Sequence, residues 1–204
     1  MEKLFFCPIL IVLLVSSCAT HVPFYIGNPY GAPVRYCEGR HPGIDFNIMI
    51  GTPIIASSDG MIQDIATPYS NQQYGGGISV EILHRDNSKP ILRTHYAHLS
   101  KVFVKVGQSV KRGELIGLSG ASNDGYAHLH FGVCKTGLYP HGIVGGSCCN
   151  YSATYDPMKF WLADKAQCFD PTMNYSSYSQ KELTLPIACG KYKKELVTRT
   201  KKED

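Results

Sequence analysis

Three short segments of this sequence concentrate the side chains that can hold a metal or move a proton: His41-Pro42-Gly43-Ile44-Asp45, Tyr96-Ala97-His98-Leu99-Ser100 and His128-Leu129-His130-Phe131. In an extended strand, residues two apart share a face, so His128 and His130 point together while Leu129 and Phe131 turn to the packed side. Two imidazoles ~6.5–7 Å apart along one strand can place one on a metal and the other beside the metal's water. The same alternation puts Thr94, Tyr96 and His98 on one side of their strand and His95 on the other, which singles out His98 rather than His95. Pro42-Gly43 is a turn that can fold the His41 imidazole and the Asp45 carboxylate onto one centre. With His130, that makes two histidines and one aspartate. Three protein ligands plus an open position is the arrangement of catalytic zinc, whereas structural zinc is closed by four.

Taken singly, each segment has a plainer reading. A lone His-x-His is more often a surface or core pair, and a histidine four residues before an aspartate is common by chance. The order and spacing of all three segments together favour the metal. No His-Glu-x-x-His occurs, so a glutamate base of the usual zincin kind is absent from the sequence. A serine hydrolase built on Ser119 or Ser122 fits poorly: Gly117-Leu118-Ser119-Gly120 lacks the Gly-x-Ser-x-Gly elbow and reads as a turn. His84 and His21 read as surface residues, and His141 as a loop residue near the cleft.

The elements that must position these groups are short strands. From about residue 30 to Leu162, Gly or Pro recurs every eight to twelve residues with β-branched runs between, a mainly antiparallel all-β pattern. Strands are predicted at Ile44–Ile48, Pro53–Ala56, Gly60–Ala66, Ile78–His84, Ile91–His98, Lys101–Val104, Leu115–Ser119 and His128–Val133. The paired glycines of Val106–Gly117 mark tight hairpins. One short C-terminal helix is expected over Met158–Ala166, capped by Asp156 with Pro157 in its first turn. Residues 163–204, with Tyr and Ser clustered at 175–179 and a charged end, read as an extension outside the core.

With 44% hydrophobic and 18% charged residues the chain is ordinary globular material for one domain. Its +4 charge is scattered, which suits an anionic envelope polymer and argues against nucleic acid. Lys3 is followed by an apolar run, Leu4 to Val15, shorter than the ~20 residues a membrane-spanning helix needs. Val15-Ser16-Ser17-Cys18-Ala19 resembles the lipobox of bacterial lipoproteins. That divides the chain into a signal peptide (1–17), a tether (18–30), a domain (31–162) and the extension (163–204), with Cys18 as lipid anchor. Cys37, Cys134, Cys148, Cys149, Cys168 and Cys189 remain, an even number behind an export signal, which reads as disulfides in an oxidising compartment. Adjacent Cys148 and Cys149 should take different partners, Cys134 for one of them, with Cys168–Cys189 pinning the tail. A cysteine-based zinc site lacks two Cys-x-x-Cys pairs.

The sequence resembles the LytM and lysostaphin-type zinc endopeptidases over roughly residues 35–160. The motifs are His41-Pro-Gly-Ile-Asp45-Phe46, Gly51-Thr-Pro-Ile54, Asp59-Gly60, Tyr74-Gly-Gly-Gly77, Tyr96-Ala-His98-Leu-Ser100, the Val106–Gly117 hairpins, Leu118-Ser-Gly-Ala-Ser122 and His128-Leu-His130-Phe131. The resemblance implies the family's duplicated antiparallel core and one Zn2+ per chain held by His41, Asp45 and His130. It implies that His128 and His98 act on the water and on the developing oxyanion, with His128 the general base. Tyr36 stands near His41, at an offset different from the family's tyrosine. The implied activity is hydrolysis of peptide crosslinks in bacterial peptidoglycan by an exported, lipid-anchored monomer in the cell envelope, at the outer membrane or periplasm in a Gram-negative cell. The alternative is a wall-binding or hydrolase-activating lipoprotein that keeps the fold without turnover. The disulfide-rich stretch from His141 to Tyr155 replaces the family's short connection and bears on substrate preference.

Overall fold

The β-branched runs form ten strands in a computed structural model that describes residues 25–67, 76–86, 89–136 and 148–203. They are β1 (Tyr25–Ile26), β2 (Ile44–Asn47), β3 (Pro53–Ile55), β4 (Gly60–Ala66), β5 (Ile78–Asp86), β6 (Lys89–Val102), β7 (Ser109–Val110), β8 (Leu115–Ala121), β9 (Ala127–Cys134) and β10 (Thr154–Tyr155), followed by the helix α1 (Gly190–Glu203). Every strand pairing is antiparallel, in the order β1-β2-β9-β8-β6-β5-β4-β7, with β3 on β8 and β10 on β9. The all-β expectation holds, and the predicted strands agree closely with those seen, except that Ile91–His98 and Lys101–Val104 merge into one long β6.

β6 organises the cleft. Arg93 to Ala97 pair with Cys134 to His130 on β9, then Leu99 to Val102 pair with Ser119 to Gly117 on β8. The handover falls at His98, whose φ is 62°, in the left-handed region that non-glycine residues avoid. Behind β9 lies the core: Phe46, Tyr96, Leu129 and Phe131 are fully buried, and Phe131 stacks on Trp161 with ring centroids 5.9 Å apart. Burying each such side chain contributes roughly 2–3 kcal/mol. A one-residue slip of β9 would expose Leu129 and Phe131, so packing sets the register that turns His128 and His130 to the other face.

Several expectations are corrected. Met158–Ala166 is not an α-helix but two 3-10 turns, Pro157–Phe160 and Leu162–Asp164. Asp156 caps the first by accepting the Met158 N–H at 3.0 Å, yet Trp161 is extended, bridging to Leu183 with its ring buried on Phe131. The α-helix lies instead at Gly190–Glu203, in the stretch read as a charged tail. Nor is the extension outside the core: Leu183, Leu185 and Ile187 belong to the main apolar cluster. His84 is not a surface residue. It is fully buried, with Nδ1 donating to the Asp59 carbonyl at 2.7 Å and Nε2 2.8 Å from the Thr94 hydroxyl, and burial pushes it down to about 4. Three disulfides close the loops: Cys37–Cys149, Cys134–Cys148 and Cys168–Cys189. The adjacent cysteines do take different partners. Cys18, His21 and His141 lie outside the described residues.

Candidate metal centre

β2 and β9 pair so that Asp45 lies opposite His130. The Asp45 Oδ1 is 3.0 Å from His41 Nε2 and 2.9 Å from His130 Nδ1, and those two nitrogens are 3.0 Å apart. His41 Nδ1 lies 3.1 Å from the Pro29 carbonyl, which can only accept, so Nδ1 carries the proton and Nε2 presents a lone pair. Asn28 Nδ2 donates to the other oxygen of Asp45 at 3.2 Å. Burial alone would raise the Asp45 carboxyl, but hydrogen bonds and charge from His130 and His41 outweigh it and hold it well below the usual carboxylate range. His130 is pushed down to about 4, chiefly by burial, so it is neutral at pH 7. The three donor atoms crowd within 3.0 Å of one another. Such a buried set of lone pairs is what a divalent cation satisfies, and two nitrogens with one oxygen suit zinc. The outer hydrogen bonds from Pro29 and Asn28 orient the ligands in the way metal sites use.

His128 and His98 flank this triangle, their ring centroids 4.5 Å apart. His128 Nε2 is 3.8 Å from Asp45 Oδ1. Its Nδ1 donates to the Tyr126 carbonyl and that of His98 to the Gly76 carbonyl, each at 2.9 Å. Both rings therefore keep Nε2 as the unprotonated nitrogen. Burial, then the neighbouring His130 and His128, push His98 down to about 3. Asp45, His98, His128 and His130 line a cleft of about 370 Å3, within the range of small-ligand sites, whose walls include Asn28, Ala97, Asp124 and Tyr126, while His41 is fully buried.

The structure brings His98 to the cleft by a different route from simple alternation. Thr94 and Tyr96 point into the core, where the Tyr96 hydroxyl accepts the Ser57 N–H and lies 3.1 Å from the Thr94 hydroxyl. Ala97 pairs with His130 and His95 with Gly132, so His95 and Ala97 face the cleft. His98, on the wrong parity, returns to that side through its left-handed backbone. Two glycines make room. A Cβ on Gly43 would lie 2.5 Å from the Phe131 carbonyl oxygen and 2.8 Å from the His130 ring. One on Gly77, which has φ of 74°, would lie 2.7 Å from the His98 Cα.

Sequence reasoning missed Asn28 and Pro29, assigned to the tether, and His95, set aside by parity. Only the Asn-Pro pair, a turn former, marked the first two. Tyr36 stands half-exposed at the cleft rim. Ser119 is no nucleophile: its buried hydroxyl donates to the Met49 carbonyl and accepts the Thr52 N–H, at 2.7 and 3.0 Å.

Residues 39–140, half of the chain, match the model of peptidase family M23. The chain belongs to peptidase family M23. A glycyl-glycine endopeptidase, ALE-1, of Staphylococcus capitis is 42% identical over 107 residues, covering 52% of this chain and 28% of that protein. The peptidoglycan DD-endopeptidase ShyA of Vibrio cholerae is 41% identical over 108 residues, again 52% of this chain and 23% of its own length. This M23 chain thus spans about a quarter of those relatives. The catalytic domain of lysostaphin, an antimicrobial peptidase from Staphylococcus simulans, superposes with a TM-score of 0.53 at 34% identity, covering 67% of this chain and 91% of that one. M23 peptidases are zinc metallopeptidases, and His41, Asp45 and His130 form this chain's candidate zinc site.

Proposed function

We propose that this M23 protein is a zinc-dependent endopeptidase that hydrolyses peptide crosslinks of bacterial peptidoglycan. The observation that carries the reading is the triangle of His41 Nε2, Asp45 Oδ1 and His130 Nδ1 at the floor of a cleft that also holds two imidazoles with free Nε2 atoms. The staphylococcal and Vibrio relatives, whose names specify glycyl-glycine and DD-endopeptidase action, supply the substrate class.

His41, Asp45 and His130 would hold a zinc ion, which would supply Lewis acidity for activating a water, whose pKa such a site lowers to ~7, and for polarising the scissile carbonyl. His128, fixed through Nδ1 by Tyr126, takes a proton from the attacking water on Nε2 and returns it to the leaving amine as the C–N bond breaks. His98 cannot donate from Nε2 while its one proton is held by Gly76, and its depressed pKa resists a second. Its neutral Nε2 accordingly accepts a hydrogen bond from the water and aims it, which reassigns the oxyanion role implied by the family resemblance. Asp45 stays anionic, and Asn28 donates to its second oxygen.

Cys18 carries the lipid in this proposal, and the protein works outside the cytoplasm on the envelope; three disulfides suit such an oxidising compartment. The purified protein should release peptides from isolated peptidoglycan, and a chelator should stop it until zinc is restored. Bound zinc with no peptide release from any wall type would overturn the enzyme in favour of a hydrolase activator. Mass spectrometry of the fragments identifies the bond. Cys18→Ser should move the protein from the membrane to the soluble fraction, and an unchanged distribution would exclude the anchor.

A further inference from the structure

Next to the catalytic triangle lies a second buried cluster that the proposed reaction does not use. Glu81 on β5, His95 on β6 and Cys148 offer ligand atoms all within 4.8 Å of one another. Glu81 is 2% and His95 7% exposed, and the Glu81 Oε1 and His95 Nδ1 are buried without a hydrogen-bond partner although they stand only 3.4 Å apart. Leaving two such atoms unsatisfied costs of the order of 1–3 kcal/mol each. Arg93 occupies only the other carboxylate oxygen, at 2.7 Å. Cys148 is bonded to Cys134 of β9, and a disulfide sulfur is a poor ligand, so the cluster as oxidised has two competent donors where a metal needs three or four.

We propose that opening the Cys134–Cys148 disulfide creates a second transition-metal site, of the zinc type, formed by Glu81, His95 and the freed Cys148 thiolate. A dithiol supplies the electrons: one of its thiolates attacks a sulfur of the pair, the S–S bond breaks to a mixed disulfide, and its second thiol closes on the first. The reductant leaves as a cyclic disulfide and the protein keeps two thiols. The ion then displaces the Cys148 proton. Nitrogen, oxygen and sulfur donors together select zinc or cobalt over magnesium or calcium. The site shares no ligand with His41, Asp45 and His130, although the His95 and His130 rings are 6.0 Å apart.

The full chain carrying Cys134→Ser leaves Cys148 as a free thiol without any reductant. Titrated anaerobically with Co2+, it should bind two ions per chain where the parent binds one, and show the near-ultraviolet charge-transfer band of a cobalt thiolate. Adding His95→Ala should return the count to one and abolish the band. Adding His130→Ala instead should remove the other ion and leave the band, which separates this site from the catalytic one. The parent opened with a phosphine should behave like Cys134→Ser and covers the case in which the variant does not fold. One cobalt per chain in both the variant and the phosphine-treated parent, or a band that survives His95→Ala, overturns the proposal. No cobalt in the disulfide-intact parent would instead count against the zinc reading of His41, Asp45 and His130.

Discussion

Two carboxylate-histidine clusters sit side by side on the same sheet, and they differ in who holds the lone pairs. Around Asp45, partners outside the triangle are spoken for: Pro29 takes the His41 proton and Asn28 takes the spare oxygen, so three donor atoms converge on one point. Around Glu81, Arg93 and the Cys134–Cys148 disulfide occupy the equivalent positions, and two polar atoms face each other across a long 3.4 Å contact. The residue types are nearly the same. Outer hydrogen bonds, rather than the ligands alone, make the first the candidate metal centre of the oxidised protein.

The strongest way to break this contrast is to remove a ligand from the first cluster. His130→Ala or His41→Ala should lose metal and peptidase activity together, a fall of ~10^3-fold or more in kcat/KM, read by metal analysis and peptide release. His128→Ala should keep the metal while kcat drops by ~10^2–10^4-fold, the usual worth of a positioned base. Full turnover in that variant would refute the base assignment. His98→Gln, which cannot shuttle a proton but can accept a hydrogen bond, should retain more activity than His98→Ala if His98 only aims the water. Asn28→Ala probes the outer partner itself and should weaken zinc binding by about 10-fold with the fold intact. At the other cluster, His95→Ala in the disulfide-bonded protein should leave the metal count at one.

His84 is a useful control, a buried imidazole with no carboxylate partner. Burial lowers its pKa from about 6.5 unfolded to about 4 folded, so the unfolded chain binds a proton first as pH falls. Above pH 6.5 it is neutral in both states and costs nothing. Between pH 6.5 and 4 it should remove up to about 3 kcal/mol of stability, detectable as a falling denaturation midpoint that His84→Gln flattens.

The alternating strands were legible because period-two burial and glycine turns act locally, and Leu129 and Phe131 declared which face of β9 must be wet. Tertiary override hid the rest. Parity selected His98 over His95, yet the backbone kink at position 98 puts both in the cleft, and a single φ is invisible to strand alternation. Leu183, Leu185 and Ile187 carry a period-two signal of their own, masked by the charged and Tyr/Ser-rich stretches on either side. His84 looked like surface because its two partners, the Asp59 carbonyl and Thr94, come from different strands or turns.

The kink has an engineering corollary. Anyone grafting these five side chains onto another antiparallel scaffold by copying rotamers alone would aim His98 into the hydrophobic interior. The donor segment must carry its left-handed residue and the accommodating Gly77 with it, so the smallest portable unit is a bent ribbon rather than a constellation of side chains.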